Sequence, residues 1–382
     1  RSLGRTAKRT GARMNTAQEF LNAIGWGAAR RQALAGDASA RRYERLTMGA
    51  ARAVLMLAPP AARAAFAAVL SIASKLRGLG LSAPQVIGSD KDKGLMLLED
   101  LGDRDFTALG PDQLEASLAA TDVLIHLARN REGWSLPALT PHVMAEMTRI
   151  ALPEGSDSDA ALAEMQAQFV RVFTAPLVPA LRDVHAENLL WLPDRLGLTR
   201  VGLLDFQDAV LAPPGYDLVS FIKDARGDIP DDISAAMTAR YAQALDLDGD
   251  AFATQCALQS FQRNLRIIGV FRRLARDRNR PAYLTHLPRV YAHVSEALDR
   301  PEPAYAGGRP GIRRAQSFVS ERYARFWEKL PFMATGVPGC GVFGVNAAGR
   351  ARWGDFPQVI ADDTFVRYNC APHEMHGVPG TY

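Results

Sequence analysis

The sequence predicts an α+β fold in two lobes, a small antiparallel sheet with helices followed by a mostly helical half. Three observations carry this expectation. Between residues 31 and 98, short apolar runs alternate with turn residues around one helical stretch at 60–79. From residue 112 onward, apolar residues recur at helical intervals over long segments. The length, 382 residues, suffices for a large core divided between two lobes or domains.

Each element has its own signal. Residues 1–13 are basic and aperiodic and read as a disordered tail or as upstream sequence; a transit peptide of that composition would also be amphipathic. A helix over 16–25 follows, with Thr16 and Glu19 spaced as a capping box. Turns and strands then alternate over 31–58, ending in the apolar run Ala53–Leu57. The helix at 60–79 repeats apolar residues at Phe66, Val69, Leu70, Ile72 and Leu76. Pro84–Ile87 and Gly94–Leu98 read as two more strands, joined by Ser89-Asp-Lys-Asp-Lys93. The first lobe therefore covers 14–102 and the second 103–302, with helices over 112–130, 158–173, 231–246, 251–276 and 285–299. His126, set among the apolar residues of the first of these, reads as structural. Residues 303–313, with Pro303, Gly307, Gly308, Pro310 and Gly311, form a linker, and 314–382 a separate segment.

Composition narrows the class. Net charge is +4 and the arginines are scattered, which argues against nucleic acid as the main partner. Cys256, Cys340 and Cys370 are too few and too irregular for a disulfide framework, so a cytoplasmic setting is expected. No apolar run approaches the ~20 residues that span a bilayer, so no membrane is expected. No obligate protein partner is evident.

The chemistry concentrates in Leu181-Arg-Asp-Val-His-Ala-Glu-Asn188 and Leu203-Leu-Asp-Phe-Gln-Asp208. Asp183 and Asn188 share a short loop that runs into Leu189-Leu-Trp191. Pro193, Asp194 and Gly197 supply a turn, and a second apolar run, Val201–Leu204, ends at Asp205. A hairpin of these runs would bring Asp205 back beside Asn188. One Asp could then accept the proton of a hydroxyl, while the Asn and the second Asp hold the divalent ion that bridges nucleotide phosphates. Asp and Asn are ordinary turn residues, but a carboxylate ending a buried strand needs a partner. His185 could orient the acceptor or brace the loop; with a carboxylate available as base, bracing is the simpler role. Gln207 follows the metal acid directly. Asp208 could accept substrate hydroxyls or cap the next turn.

This pattern resembles the aminoglycoside phosphotransferase-like kinases, and within them the bacterial anomeric kinases of N-acetylmuramate and N-acetylglucosamine. Supporting stretches include Leu34-Ala-Gly-Asp-Ala-Ser39, Leu97-Leu-Glu-Asp-Leu-Gly102, Tyr216-Asp-Leu-Val-Ser220 and Arg263-Asn-Leu-Arg-Ile-Ile-Gly-Val-Phe271. The likeness spans roughly 15–300. It implies a two-lobed protein-kinase-like fold, ATP and Mg2+ as cofactors, Asp183 as catalytic base, and Asn188 and Asp205 as metal ligands. It further implies a hinge at Glu99-Asp-Leu-Gly102, where backbone groups near Glu99 and Leu101 could bond an adenine edge. The acceptor it implies is a small sugar; an aminoglycoside, choline or similar metabolite, and a non-catalytic nucleotide-binding module, are the alternatives.

The chain departs from that pattern in three places. Leu181 stands where many relatives have a His. The Val54–Leu57 strand has no lysine to pair phosphates. No acid lies between Arg63 and Leu81 to partner one. Losing both members of an ion pair together is coherent, since either alone would be an unpaired charge. The expected substitute is the turn ending at Ser39, followed by Arg41 and Arg42: backbone N–H groups and a guanidinium can both take phosphate oxygens. Arg263 and Asn264, on the helix of the 260s, are candidates for a sugar wall.

The tail reads differently. Gly339-Cys-Gly-Val-Phe-Gly344 has dinucleotide-binding spacing, but Pro338 spoils the preceding strand and too little chain follows for the sheet. Gly341–Val345 through Ile360–Val366 instead resembles the C-terminal portion of a family 2 glycosyltransferase, with Asp362 and Asp363 as an acidic pair. Without a donor-binding half, a truncated fusion is the expectation. Cys370, His373 and His376 lack a fourth ligand and read as coincidence.

Overall fold

The computed structural model describes residues 16–34, 41–60, 65–152 and 156–298. The expectations for residues 1–13, for Ser39 and for everything from 303 onward lie outside them. The chain divides into two compact units, one of 1–137, 178–211 and 230–241, the other of 138–177, 212–229 and 242–382.

The first unit holds an antiparallel sheet of five strands: β1 (Arg30–Ala33), β2 (Arg42–Met48), β3 (Ala51–Leu57), β4 (Val86–Asp90) and β5 (Leu95–Glu99), in the order β1-β2-β3-β5-β4. Helix α1 covers 16–23 and α2 covers Ala65–Gly78. Side chains alternate across a strand, and here both faces are apolar. Leu46, Ala53, Leu55, Leu95 and Leu97 are buried with Ala17, Phe20 and Leu21 of α1. Met56 and Met96, pointing the other way, are buried with Phe66 and Val69 of α2. A one-residue slip would exchange these sets, so the register Leu55↔Leu97 and Met56↔Met96 is strongly specified.

Beyond the sheet, α3 (Gln113–Arg129) buries Val123, Leu124 and Leu127. His126 on it meets the Leu79 carbonyl at 3.0 Å, the structural place its apolar surroundings implied. Arg240, on α7 (Asp231–Ala244), grips Asp122 of α3 with two bonds of 2.6 and 2.8 Å. Two short pairs complete the unit: β6 (Val178–Ala180) with β9 (Val210–Ala212), and β7 (Leu189–Trp191) with β8 (Val201–Leu203). The antiparallel sheet and the helical remainder match the expected fold class.

The second unit is helical: α4 (Pro141–Thr148), α5 (Ser156–Val172), α6 (Tyr216–Ile222), α8 (Gly249–Asp277) and α9 (Leu287–Leu298). Asp248 caps α8, its carboxylate accepting from Ala251 N at 2.9 Å. Phe261, Ile268 and Phe271 of α8 are buried with Leu287, Val290 and Val294 of α9. The sequence signals missed α4 and α6, which are too short to show a helical period. They also set β4 too early: the strand runs Val86–Asp90, after Pro84, which lacks the N–H a ladder needs.

Candidate active site

The functional loops are fixed by the small strand pairs. β7 and β8 pair with Leu189 opposite Leu203, and Leu204 N donates to the Asn188 carbonyl at 3.0 Å. That pairing brings Asn188 beside Asp205. Trp191, 2% exposed, anchors the hairpin: its backbone N–H donates to the Arg104 carbonyl and its ring packs edge-on to Phe106. Arg182 (φ 77°) and Asp205 (φ 54°) are both in the left-handed region. Each costs on the order of 1 kcal/mol, a strain found where surrounding structure fixes a functional geometry.

Within the loop, Asn188 Nδ2 donates to the Asp183 carbonyl at 2.8 Å and lies 2.9 Å from His185 Nε2. His185 is buried and turned onto the amide, so it braces the loop. With its nitrogen committed in this way, the Asn188 amide has its oxygen left to meet a cation. Asp205 Oδ1 accepts from Gln207 Nε2 at 3.0 Å, and the same Nε2 donates to Asp208 at 3.2 Å. Burial pushes the Asp205 carboxyl above its usual range, and Asp183 and Asp208 add to the rise. A hydrogen bond from Gln207 and the charge of Arg41 oppose it, and two-fifths of the side chain still meets solvent.

Arg41 closes the other side. Its Nη1 donates to Gln207 Oε1 at 2.9 Å and its Nη2 to Asp205 Oδ1 at 3.3 Å. Arg42, the next residue, points to the opposite face, where it lines a groove with Thr16 and Leu57. Of the two arginines expected near phosphate, Arg41 alone reaches this site. Tyr43, two residues on, returns to the same face, its hydroxyl pKa raised by burial.

These groups border a cavity of about 330 Å3, ample for a small ligand. Its polar end is Arg41, Asn188, Asp205 and Gln207; its apolar end includes Val54, Met56, Val69, Leu98, Leu101 and Leu190. Met56 on β3 and Val69 on α2 belong to one buried cluster. The helix and strand that would hold an ion pair are thus joined by an apolar contact. The segment expected as a hinge, Glu99-Asp-Leu-Gly102, is fixed from two sides. Arg45 reaches Asp100 at 2.8 Å, Asp103 at 3.1 Å and the Gly102 carbonyl at 3.1 Å, and the Asp100 side chain is 2% exposed. Glu99 takes Arg195 at 2.8 Å and Gln85 N at 3.0 Å. Its side chain is thereby committed to structure, and its backbone N–H donates to the Gln85 carbonyl at 2.8 Å.

A hard divalent cation fits the donors present: a carboxylate, an amide oxygen and an excess of acidic charge. Among the described residues no three His, Cys, Asp or Glu side chains cluster as a metal site.

The remaining candidates fall in the second unit. Arg263 is buried with its guanidinium 5.7 Å from the Tyr216 ring. Asn264 is 0% exposed and donates to Ser260 of its own helix at 3.0 Å. The sequence did not single out Tyr43, Arg45 or Arg195. An arginine on a strand reads as a solvated side chain, and only the alternation of β2, which puts residues 41, 43 and 45 on one face, could have found the first two.

Comparison with known proteins supports the same conclusion. The chain is 36% identical over 331 residues to an N-acetylmuramate/N-acetylglucosamine kinase of Caulobacter vibrioides, covering 74% of this chain and 91% of that protein. In fold it resembles a choline/ethanolamine kinase family protein from Mesorhizobium loti (TM-score 0.55, 16% identity, 76% of this chain and 96% of that one). It also resembles LicA, a choline kinase of Streptococcus pneumoniae solved with AMP (TM-score 0.53, 10% identity, 74% and 98%). Residues 30–254 match the family described as phosphotransferase enzyme family. That stretch contains both arms of the hairpin site, and the chain belongs to the phosphotransferase enzyme family.

Proposed function

We propose that the protein moves the γ-phosphoryl group of ATP to the anomeric hydroxyl of N-acetylmuramate or N-acetylglucosamine, in the cytosol, as part of cell-wall sugar recycling. The observation that carries this is the hairpin: it sets Asn188 beside Asp205, with Arg41 opposite, at the polar end of a cavity whose other end is apolar and closed by the hinge. The acceptor is read from the Caulobacter kinase, 36% identical over most of both chains.

Asp183 takes the proton of the acceptor hydroxyl as its oxygen bonds the γ-phosphorus; the bond to the β,γ-bridging oxygen breaks and ADP leaves. Asn188 and Asp205 would hold the divalent ion, which would supply charge neutralisation for the phosphates. Arg41 adds a planar cation that can bond two phosphate oxygens. His185 holds the amide of Asn188. Catalysis of this kind is mostly positioning and electrostatics. We propose 14–102 and 103–302 as its two lobes, and 303–382 as an appendage that it does not need.

The test is ATP consumption with Mg2+ against N-acetylmuramate, N-acetylglucosamine, kanamycin and choline. Turnover with an amino sugar, lost when the anomeric hydroxyl is blocked as a methyl glycoside, is expected. Asp183→Asn should lower kcat at least ~100-fold while leaving nucleotide affinity nearly unchanged. Turnover on choline or kanamycin alone would replace the acceptor, and near-normal kcat in the variant would remove Asp183 as base.

A further inference from the structure

The kinase reading leaves one question of charge. Asp183, Asp205 and Asp208 are near enough that the first and third raise the pKa of the second. Neither β3 nor α2 supplies a cation, since Val54, Met56 and Val69 line the cavity there. Of the two arginines lining it, Arg45 is engaged by Asp100, Asp103 and the Gly102 carbonyl. Arg41, only 12% exposed, spends one nitrogen on Asp205, the acid proposed to bind the metal. Gln207 fixes that contact. Its oxygen accepts from Arg41 and its nitrogen donates to Asp205 and Asp208, so one amide aligns cation and acids together.

Resting on that reading, we infer that Arg41 is a placeholder cation and a positioning residue. It neutralises Asp205 before ligands arrive, and it exchanges that carboxylate for nucleotide phosphates when the divalent ion takes Asp205. Arginine and metal ion would draw on the same carboxylate, and two positive groups beside it repel. A metal ion binding alone would weaken the Arg41–Asp205 contact and bring the arginine no phosphate in exchange. Bound together with nucleotide, it leaves the arginine phosphate oxygens to bond. Metal ion and nucleotide therefore favour each other's binding, and the coupling passes through Arg41.

The test uses the full chain and Mn2+, with free Mn2+ read by electron paramagnetic resonance, with and without a non-hydrolysable ATP analogue. In Arg41→Met, Mn2+ alone should bind at least threefold tighter than in wild type, and the analogue at least tenfold weaker. The factor by which each ligand improves the other should fall toward one. Arg41→Lys, which keeps the charge but not the planar fork, should lie between them and serves if the Met variant does not fold. Asp205→Asn should lose most Mn2+ binding in either background. Unchanged or weaker Mn2+ binding in a folded Arg41→Met protein overturns the placeholder role, as does unchanged coupling. Failure of the wild type to bind the analogue would sink the kinase reading instead, and the arm with Mn2+ alone would still decide the placeholder.

Discussion

The hinge depends on a charge that water barely reaches. The Asp100 side chain is 2% exposed, and its partners are Arg45, with Nε 2.8 Å from one carboxylate oxygen and Nη2 3.2 Å from the other, and Gly102 N at 3.0 Å. Arg45→Met keeps the apolar stem but leaves a buried carboxylate with one N–H. Breaking a buried pair from one side costs roughly 3–5 kcal/mol. Arg45 is itself 16% exposed, so some water can follow it, and about 3 kcal/mol is expected. Asp100→Asn in the same chain removes the stranded charge while an amide oxygen can still accept from Gly102 N. The double variant should thus recover about half the loss, roughly 1–2 kcal/mol relative to Arg45→Met.

Urea unfolding of wild type, both single variants and the double variant measures this directly, at constant slope. Nucleotide affinity should fall in Arg45→Met, because Asp100 sits between Glu99 and Leu101 and all three border the cavity. A loss under about 1 kcal/mol in Arg45→Met, or a double variant no more stable than that single one, would refute the argument that a stranded charge is the cause.

Three further outcomes follow from packing and charge. Gly202 lies under the cavity, where an added Cβ would sit 3.1 Å from both Leu101 Cδ1 and Leu190 Cβ; Gly202→Ala should displace these leucines and raise the nucleotide Kd about fivefold, near 1 kcal/mol, and an unchanged Kd in titration would show the floor is slack. Gly269 lets α8 cross the chain at Ile150, where a Cβ would fall 2.6 Å from backbone carbon and oxygen; Gly269→Ala should cost about 1–3 kcal/mol in urea, and a neutral result would mean the backbone there gives way freely. Glu296, held at about 2 first by His293 and then by Lys223, has a depressed pKa, so its contribution is full above the ordinary glutamate range and fades as pH falls from about 4.5 toward 2. The side chain is 60% exposed, so Glu296→Gln should cost only about 0.5–1 kcal/mol at pH 7 and less at pH 3, and a gap that widens on acidification would contradict the sign.

Much of the site could be read from the chain because its residues are close in sequence. Asp183 and Asn188 share a loop, and turn residues between two apolar runs set a hairpin that returns Asp205 to them. What could not be read depends on distance along the chain. Arg41 meets Asp205 across 164 residues and Arg45 meets Asp103 across 58; nothing local marks either partner. Asn264 followed from helical period to a plausible wall, but period alone cannot say whether a polar side chain on α8 faces a ligand or its own helix, and here it bonds Ser260. α4 and α6 escaped for a different reason, since two turns are too few to show a period.

The missing lysine has a structural consequence. In protein kinases a strand lysine and a helix glutamate must meet before phosphates are held, and moving that helix switches the enzyme. Here Met56 of β3 and Val69 of α2 share one buried cluster, and on the proposed reading Arg41 supplies the cation from the chain just before β2. An apolar contact needs no partner at a fixed angle, and replacing an ion pair by packed side chains is often neutral or stabilising. Helix α2, with no acid between Arg63 and Leu81, has no carboxylate to offer a strand lysine. On the inference drawn above, control of phosphate binding passes to Arg41, which responds to the occupancy of Asp205 itself. A chain built this way senses its own ligands at the metal acid, and a substitution that loosens α2 should lower stability before it alters nucleotide affinity.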